Sequence, residues 1–156
     1  MFAGRVWFAL AASVGYLAVA ATRHDGLAHQ PCLVLARSKA DFAAEIQAAG
    51  GPASVHTGIL LDFGFVLMFM VAAALLLRHE VPRWWWVPVV AAVCDSAENG
   101  LLWVLVSRDP GAGGLAVLLT LAVAKFALYA LTIGLLVRAG YVQWRRAPKR
   151  AAPGDR

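Results

Sequence analysis

Two carboxylic acids and an amide occur close together in the stretch CDSAENGLLWVLV, whose other residues are mostly apolar. Spacings of three and four place Asp95, Glu98 and Asn99 on one face of a helix, so that these polar groups point to the same side. Carboxyl groups in such surroundings can donate and accept protons, because burial and neighbouring charges alter the balance between their neutral and ionised forms. This stretch is therefore the first candidate for a chemical or binding site.

A lysine in a later apolar stretch is the natural partner of these acids. A helix that starts at Leu115 reaches Lys125 after roughly 15 Å, close to the depth expected of Asp95 in the middle of its own stretch. We expect the remaining site residues to face the same interior. The candidates for catalysis are Asp95, Glu98 and Asp62, and those for ligand binding are Asn99, Lys125, Tyr129 and Tyr16.

The charges of this set do not balance, because Asp62, Asp95 and Glu98 face the single cation Lys125. At least one carboxyl is therefore expected to be neutral, unless a cation or a polar ligand completes the set. Ionisable residues inside a membrane commonly mark functional sites. An ion pair that only holds two helices together explains the same residues and stays open as the structural alternative.

The rest of the chain has the composition of a membrane protein: of 156 residues, 61% are hydrophobic and only 15% are charged. Four apolar stretches, at about 6–22, 59–77, 84–106 and 115–137, each approach the roughly 20 residues that a helix needs to cross the hydrocarbon core. The alternation of apolar and polar residues that marks spanning strands is missing. We predict an all-α, integral membrane four-helix bundle as one domain over residues 1–140, followed by a basic cytoplasmic tail at 141–156.

The connection between the first two stretches, residues 23–55, is predicted to lie outside and to contain a helix. Ser38 and Asp41 have the spacing of a capping box, and the run Gly50 to Pro52 is a typical helix end. Apolar side chains between them fall on one face of the helix. We predict a short amphipathic helix in this first outer loop, acting either as a surface cover or as a lid.

Lysine and arginine residues indicate the orientation of the predicted bundle. Nine lie on the side of the two termini and four on the other side, which places both termini in the cytoplasm. The first stretch also resembles a secretory signal ending at 18–20; its length favours a retained helix, and cleavage would leave three spans. The basic rim suits anionic lipid heads rather than nucleic acid. Trp84 to Trp86 are expected to anchor the third span at the interface.

Other residues with reactive side chains form no site by spacing alone. His24, His29 and His79 lie in or beside loops and suit no metal site, so neither a metal nor another cofactor is predicted. Cys32 lies in the outer loop and Cys94 near the middle of the third stretch. A disulfide between them would need an implausible geometry, and both are expected to be free.

The order of these features resembles a group of small uncharacterised bacterial membrane proteins with four spans. The resemblance rests on Leu35-Ala36 before Ser38, Ile46, Asp62 with Phe65, the Asp95-x-x-Glu98-Asn99 motif and Lys125-Phe126. It implies a multi-pass protein of the bacterial cytoplasmic (plasma) membrane and no particular activity. The arrangement is also similar, more distantly, to the sterol isomerase and sigma-2 receptor superfamily, which binds sterols or amines in a membrane cavity with paired acids; the DSAEN stretch departs from that pattern.

These observations favour a membrane-embedded site that binds a lipid-soluble small molecule, and leave open whether the protein also isomerises or cyclises it. In that reaction Asp95 and Glu98 would be the acid and base, supported by Lys125 and Asn99, with Asp62 as a gate or second carboxylate. Two alternatives stay open: a proton or ion translocation subunit, which needs a homo-oligomer or a partner, and a structural assembly protein without catalysis. Membrane lipids are the expected partners in each case, and nucleic acid is not expected.

Overall fold

The computed structural model describes residues 2–108 and 110–146, and these residues form helices without any strand. In chain order the described helices are α1 Phe2–Arg23, α2 Asp25–Ala28, α3 Gln30–Leu35, α4 Lys39–Ala48, α5 Pro52–Glu80, α6 Trp86–Ser107 and α7 Ala112–Arg146. Four of them, α1, α5, α6 and α7, are long and apolar enough to cross a membrane. The all-α class and the four long helices therefore agree with the prediction.

Most of the long helices extend beyond the apolar stretches from which they were predicted. α5 begins at Pro52, whose fixed φ suits the first turn of a helix, and it runs on to Glu80. α7 continues to Arg146, so the beginning of the segment predicted as a tail is helical, while 147–156 lies outside the described residues. α6 is the exception, because it begins at Trp86 rather than at Trp84. The apolar stretch shows which part of a helix can lie in lipid. The helix itself can be longer, because its backbone hydrogen bonds continue into the polar residues at its ends.

The segment between α1 and α5 holds three short helices where the sequence predicted one. α4 starts as expected, since Ser38 Oγ accepts a hydrogen bond from the backbone N–H of Asp41 at 3.1 Å. It ends before Gly50 and Gly51, whose φ angles of 86° and 92° are accessible to glycine without steric cost. α2 and α3, of 4 and 6 residues, are too short to show a helical period in the sequence.

Apolar clusters fill the bundle on both sides of its polar residues. At one end, Phe42 and Ile46 of α4 pack with Ile59 of α5, Leu102 of α6 and Leu118 of α7, so that α4 covers this end of the bundle. Toward the middle and the other end, two further clusters are built from Phe65, Val66, Met70 and Ala91, and from Val6, Leu10, Ala73, Leu76, Val87 and Ala139. The polar residues singled out from the sequence lie between the first cluster and the middle one.

Helix α2 is held against α5 by direct contact between their backbones at Gly26 and Gly58. A Cβ atom added to Gly26 would lie 1.9 Å from the carbonyl oxygen of Ser54, and one added to Gly58 would lie 2.5 Å from the carbonyl carbon of Gly26. The backbone N–H of Gly26 also donates to Ser54 Oγ at 3.1 Å. Any side chain at either glycine would therefore push α2 away from α5.

We expect Gly58→Ala to destabilise the protein by at least about 1–3 kcal/mol, because the added methyl group overlaps backbone atoms that cannot move independently. The matched control is Gly134→Ala in α7, where an added Cβ atom meets nothing within 4 Å. This control should leave stability unchanged or raise it by up to about 1 kcal/mol, since alanine is the better helix former. Thermal unfolding of the purified variants in detergent measures both effects, and equal stability of the two variants would show that the backbones do not touch.

Candidate functional site

Three long helices bring together all of the predicted site residues except Tyr16. We call this group the polar cluster; it consists of Asp62 from α5, Asp95, Glu98 and Asn99 from α6, and Lys125 and Tyr129 from α7. The helical spacings place the three α6 residues on one face and the two α7 residues on another. Because these faces meet inside the bundle, the side chains contact one another.

Lys125 is the central residue of the polar cluster. Its ammonium group donates a hydrogen bond to Glu98 Oε1 at 2.6 Å and lies 2.9 Å from Asp95 Oδ1. The second contact is an ion pair, which joins the same ammonium group to a second buried carboxyl. The side chains of Asp95 and Glu98 are only 1% and 3% exposed, and that of Lys125 is 12% exposed. One buried cation therefore faces two buried carboxyl groups.

Two neutral donors complete the polar cluster. Tyr129 donates its hydroxyl hydrogen to Asp95 Oδ2 at 2.5 Å, and Asn99 Nδ2 donates to Asp62 Oδ2 at 2.8 Å. Asp62 therefore accepts its hydrogen bond from an uncharged amide and not from the lysine. These bonds link α5 to α6 and α6 to α7 through side chains.

The polar cluster contains more negative than positive charge when every group is ionised. The carboxylates of Asp62, Asp95 and Glu98 and the single ammonium group of Lys125 give a net charge of −2. In addition, Glu98 Oε2 is buried and has no hydrogen-bond partner among the described residues. Buried charge that is not matched is strongly unfavourable. A proton, a cation or a polar ligand must therefore offset the excess, as the residue types indicated.

A cavity of about 300 Å³ lies beside the polar cluster. Asp62, Glu98, Lys125 and Tyr129 contribute the polar lining on the side of α5, α6 and α7. The opposite lining comes from α1, α2 and α3, and it is mostly apolar: Leu17, Ala21, Leu27, Ala28, Pro31 and Val34. Gln30 is the polar exception there, and its Nε2 atom is buried without a hydrogen-bond partner in the described structure.

The cavity separates the acids into two groups. Asp62 and Glu98 line it, whereas Asp95 does not and instead contacts Lys125 and Tyr129. The sequence predicted Asp95 and Glu98 as the pair facing a ligand, because they share one helix face. The structure places Asp62 beside Glu98 at the cavity, since the partner helix α5 supplies the remaining wall. Asp95 is positioned to hold Lys125 and Tyr129 in place.

Tyr16, predicted to bind a ligand, is not among the residues that line the cavity. Its hydroxyl donates to the backbone oxygen of Leu61 at 3.4 Å and lies against Gly64 of α5. The α1 residues that do line the cavity are Leu17 and Ala21. The sequence predicted that this part of α1 lies at the depth of the polar cluster. It did not predict which face of α1 points inward, because apolar residues occur nearly all round the helix.

Sequence reasoning also missed residues in the segment before α5. Leu27, Gln30 and Val34 line the cavity, although nothing in their types or spacing distinguishes them from ordinary loop residues. In the same segment His29 comes close to Cys32 and Glu45, a grouping that was not predicted because only the spacing of histidines was considered. The expected free state of both cysteines is confirmed.

No protein-family model, no curated protein and no solved structure matches this chain. The likeness to small four-span bacterial proteins and to the sterol isomerase superfamily therefore stays an expectation that rests on residues alone. The chemistry of the site has to be inferred from its own geometry.

We expect Lys125→Met to destabilise the protein by about 3–5 kcal/mol, because it leaves the buried Asp95 and Glu98 carboxyls without their cation. The matched control is Arg138→Met on the same helix, where the side chain is exposed and the effect should stay within about 0.5 kcal/mol. Adding Asp95→Asn and Glu98→Gln to Lys125→Met should recover part of the loss. Unfolding in detergent measures these changes, and similar effects of the two single variants would contradict the central role of Lys125.

Removing the Tyr129 hydroxyl tests the second bond to Asp95. Tyr129→Phe keeps the ring but deprives a buried carboxyl oxygen of its donor, so we expect a loss of about 1–3 kcal/mol in the free energy of unfolding. Tyr141→Phe, at an exposed position of the same helix, should change stability by less than about 0.5 kcal/mol. If both variants were neutral in the same unfolding assay, the Tyr129 hydroxyl would not be bonded to a buried acid.

Proposed function

We propose that this protein is an integral membrane protein that binds a lipid-soluble small molecule in the cavity beside the polar cluster. The single observation that carries the proposal is the convergence of Asp62, Glu98 and Lys125 on one side of an otherwise mostly apolar cavity. Ligand sites typically combine apolar walls with a few polar groups that fix the orientation of the ligand. At about 300 Å³ the cavity is at the small end of the common range of about 300–1,000 Å³, so it suits a compact molecule or one end of a longer one.

The distribution of apolar side chains supports insertion into a membrane. The large residues exposed on the long helices are apolar over most of their length, and they include Phe8, Leu67, Val93, Val123 and Val137. The charged residues near the middle of α6 and α7 are instead buried in the polar cluster. Exposed apolar surface of this extent is unfavourable in water and favourable in lipid. We place both termini in the cytoplasm on the distribution of lysine and arginine, in a bacterial plasma membrane.

The same groups can serve acid–base chemistry on the bound molecule. Glu98 and Asp62 are the carboxyls that line the cavity, so they are the groups placed to give a proton to the ligand and to accept one from it. Lys125 contacts Glu98, whereas Asp62 receives a hydrogen bond from the uncharged amide of Asn99. Two carboxyls in different surroundings are suited to opposite roles in an isomerisation or cyclisation.

The packing below the polar cluster favours a closed pocket over a proton or ion pathway. An apolar layer lies next to the polar cluster, toward the C-terminal ends of α5 and α7, and it consists of Phe65, Val66, Met70 and Ala91. Among the described residues this layer has no charged side chain, so a translocated proton would have to cross apolar packing. A binding site needs access from one side only, and the layer then serves as its floor.

A cavity-filling variant tests binding directly. Ala21 lines the cavity, and Ala18, one turn earlier on α1, is exposed and does not. We expect a hydrophobic molecule to co-purify with the wild-type protein and with Ala18→Phe, and its occupancy to fall about tenfold or more in Ala21→Phe. A cost of about 1.4 kcal/mol from steric overlap is enough for that change.

Native mass spectrometry of the detergent-solubilised protein, followed by solvent extraction and identification of the bound species, measures the occupancy. A wild-type protein without any bound hydrophobic molecule would contradict the proposal. Equal occupancy in Ala18→Phe and Ala21→Phe would show that a molecule binds elsewhere, for instance on the lipid-facing surface.

A further inference from the structure

Three side chains with metal-binding donor atoms meet on the outer side of α3, away from the polar cluster. His29 precedes the helix, Cys32 lies in its first turn, and Glu45 comes from α4. One donor atom from each lies within 4.8 Å of the other two. His29 Nδ1 lies 3.1 Å from Glu45 Oε2.

We propose that His29, Cys32 and Glu45 bind a divalent transition-metal ion of the Zn²⁺ class. An imidazole, a thiolate and a carboxylate form a mixed donor set that suits Zn²⁺, whereas Mg²⁺ and Ca²⁺ prefer oxygen atoms alone. Three protein ligands leave one tetrahedral position for a water molecule or another small ligand. His29 and Glu45 are partly exposed and Cys32 is exposed, so an ion can reach the site from the solvent.

The backbone already holds the ligands near the required geometry. The N–H of Cys32 donates to the oxygen of His29 at 3.0 Å, and this turn brings both side chains to one side of α3. The position of Glu45 is set by α4, because Phe42 and Ile46 of this helix are buried in the apolar cluster at the end of the bundle. Ligand atoms of a tetrahedral zinc ion lie roughly 3.5 Å apart, so side-chain rotation alone can close the remaining distance.

The ion would fasten the helix that lines the cavity. α3 contributes Pro31 and Val34 to the cavity lining, and α4 is packed against the end of the bundle. A metal bridge from His29 and Cys32 to Glu45 would therefore tie α3, which lines the cavity, to α4. This role does not depend on which molecule occupies the cavity.

Metal titration of the reduced, full-length protein tests the site. We expect about one Zn²⁺ per chain to survive dialysis, and added Co²⁺ to produce the near-ultraviolet absorption of a thiolate bound to the metal. Cys32→Ser should abolish this absorption, and Cys32→Ser, His29→Ala and Glu45→Gln should each weaken affinity. Loss of a supporting residue alone typically costs about 10–100-fold in affinity, so loss of a direct ligand should cost at least that much. Cys94→Ser and His24→Ala are the matched controls and should bind as the wild type does.

Amide hydrogen exchange gives a second measurement that does not depend on the cavity ligand. Added Zn²⁺ should slow exchange in α3 and α4 of the wild type and of Cys94→Ser, but not of Cys32→Ser. The absence of Zn²⁺ binding by the wild type would overturn the proposal, and so would Cys32→Ser binding as tightly as the wild type. If Cys32→Ser failed to fold, Glu45→Gln would decide in its place, because its exchange should not respond to the metal.

Discussion

The structure depends on the burial of one ammonium group between carboxyls from a neighbouring helix. Lys125 of α7 contacts Asp95 and Glu98 of α6, and Asn99 carries the connection to Asp62 of α5. The pair as a whole adds little net stability, because desolvation of the charges offsets most of their attraction, but loss of either partner would leave a buried charge unmatched. The retention of charged groups at this level therefore needs a reason other than packing. The proposed ligand of the cavity beside Glu98 and Asp62 would be one, since an excess of carboxyl groups is useful where a proton or a polar ligand can reach it.

The cavity lies between the polar cluster and the short helices α2 and α3, so its size depends on where these helices are held. Gly26 and Gly58 allow backbone contact between α2 and α5, and this contact sets the position of the chain that continues into α3. On the other side, α4 is anchored by its buried face at the end of the bundle. The polar wall belongs to three long helices, whereas the apolar wall combines α1 with the short helices α2 and α3.

Much of the fold could be predicted from the sequence, because apolar stretches of the observed lengths have few alternatives to helices. The convergence of Asp95, Glu98, Asn99 and Lys125 also followed from helical spacing and depth, which need no knowledge of tertiary structure. The placement of Tyr16 required the rotation of α1, and a helix that is apolar nearly all round does not reveal it. The short helices α2 and α3 could not be predicted, since their positions depend on a glycine contact between residues far apart in the chain.

Helix α3 connects the two proposed sites because its opposite sides serve different purposes. Pro31 and Val34 line the cavity, while His29, just before the helix, and Cys32 lie beside Glu45 on the outer side. A helix of six residues has little stability of its own, so its position is set by what it contacts. A metal ion on the outer side would restrict the positions that α3 can adopt, and a ligand on the inner side would favour those that fit its shape. Each would then alter the free energy with which the other binds, by the same amount in both directions.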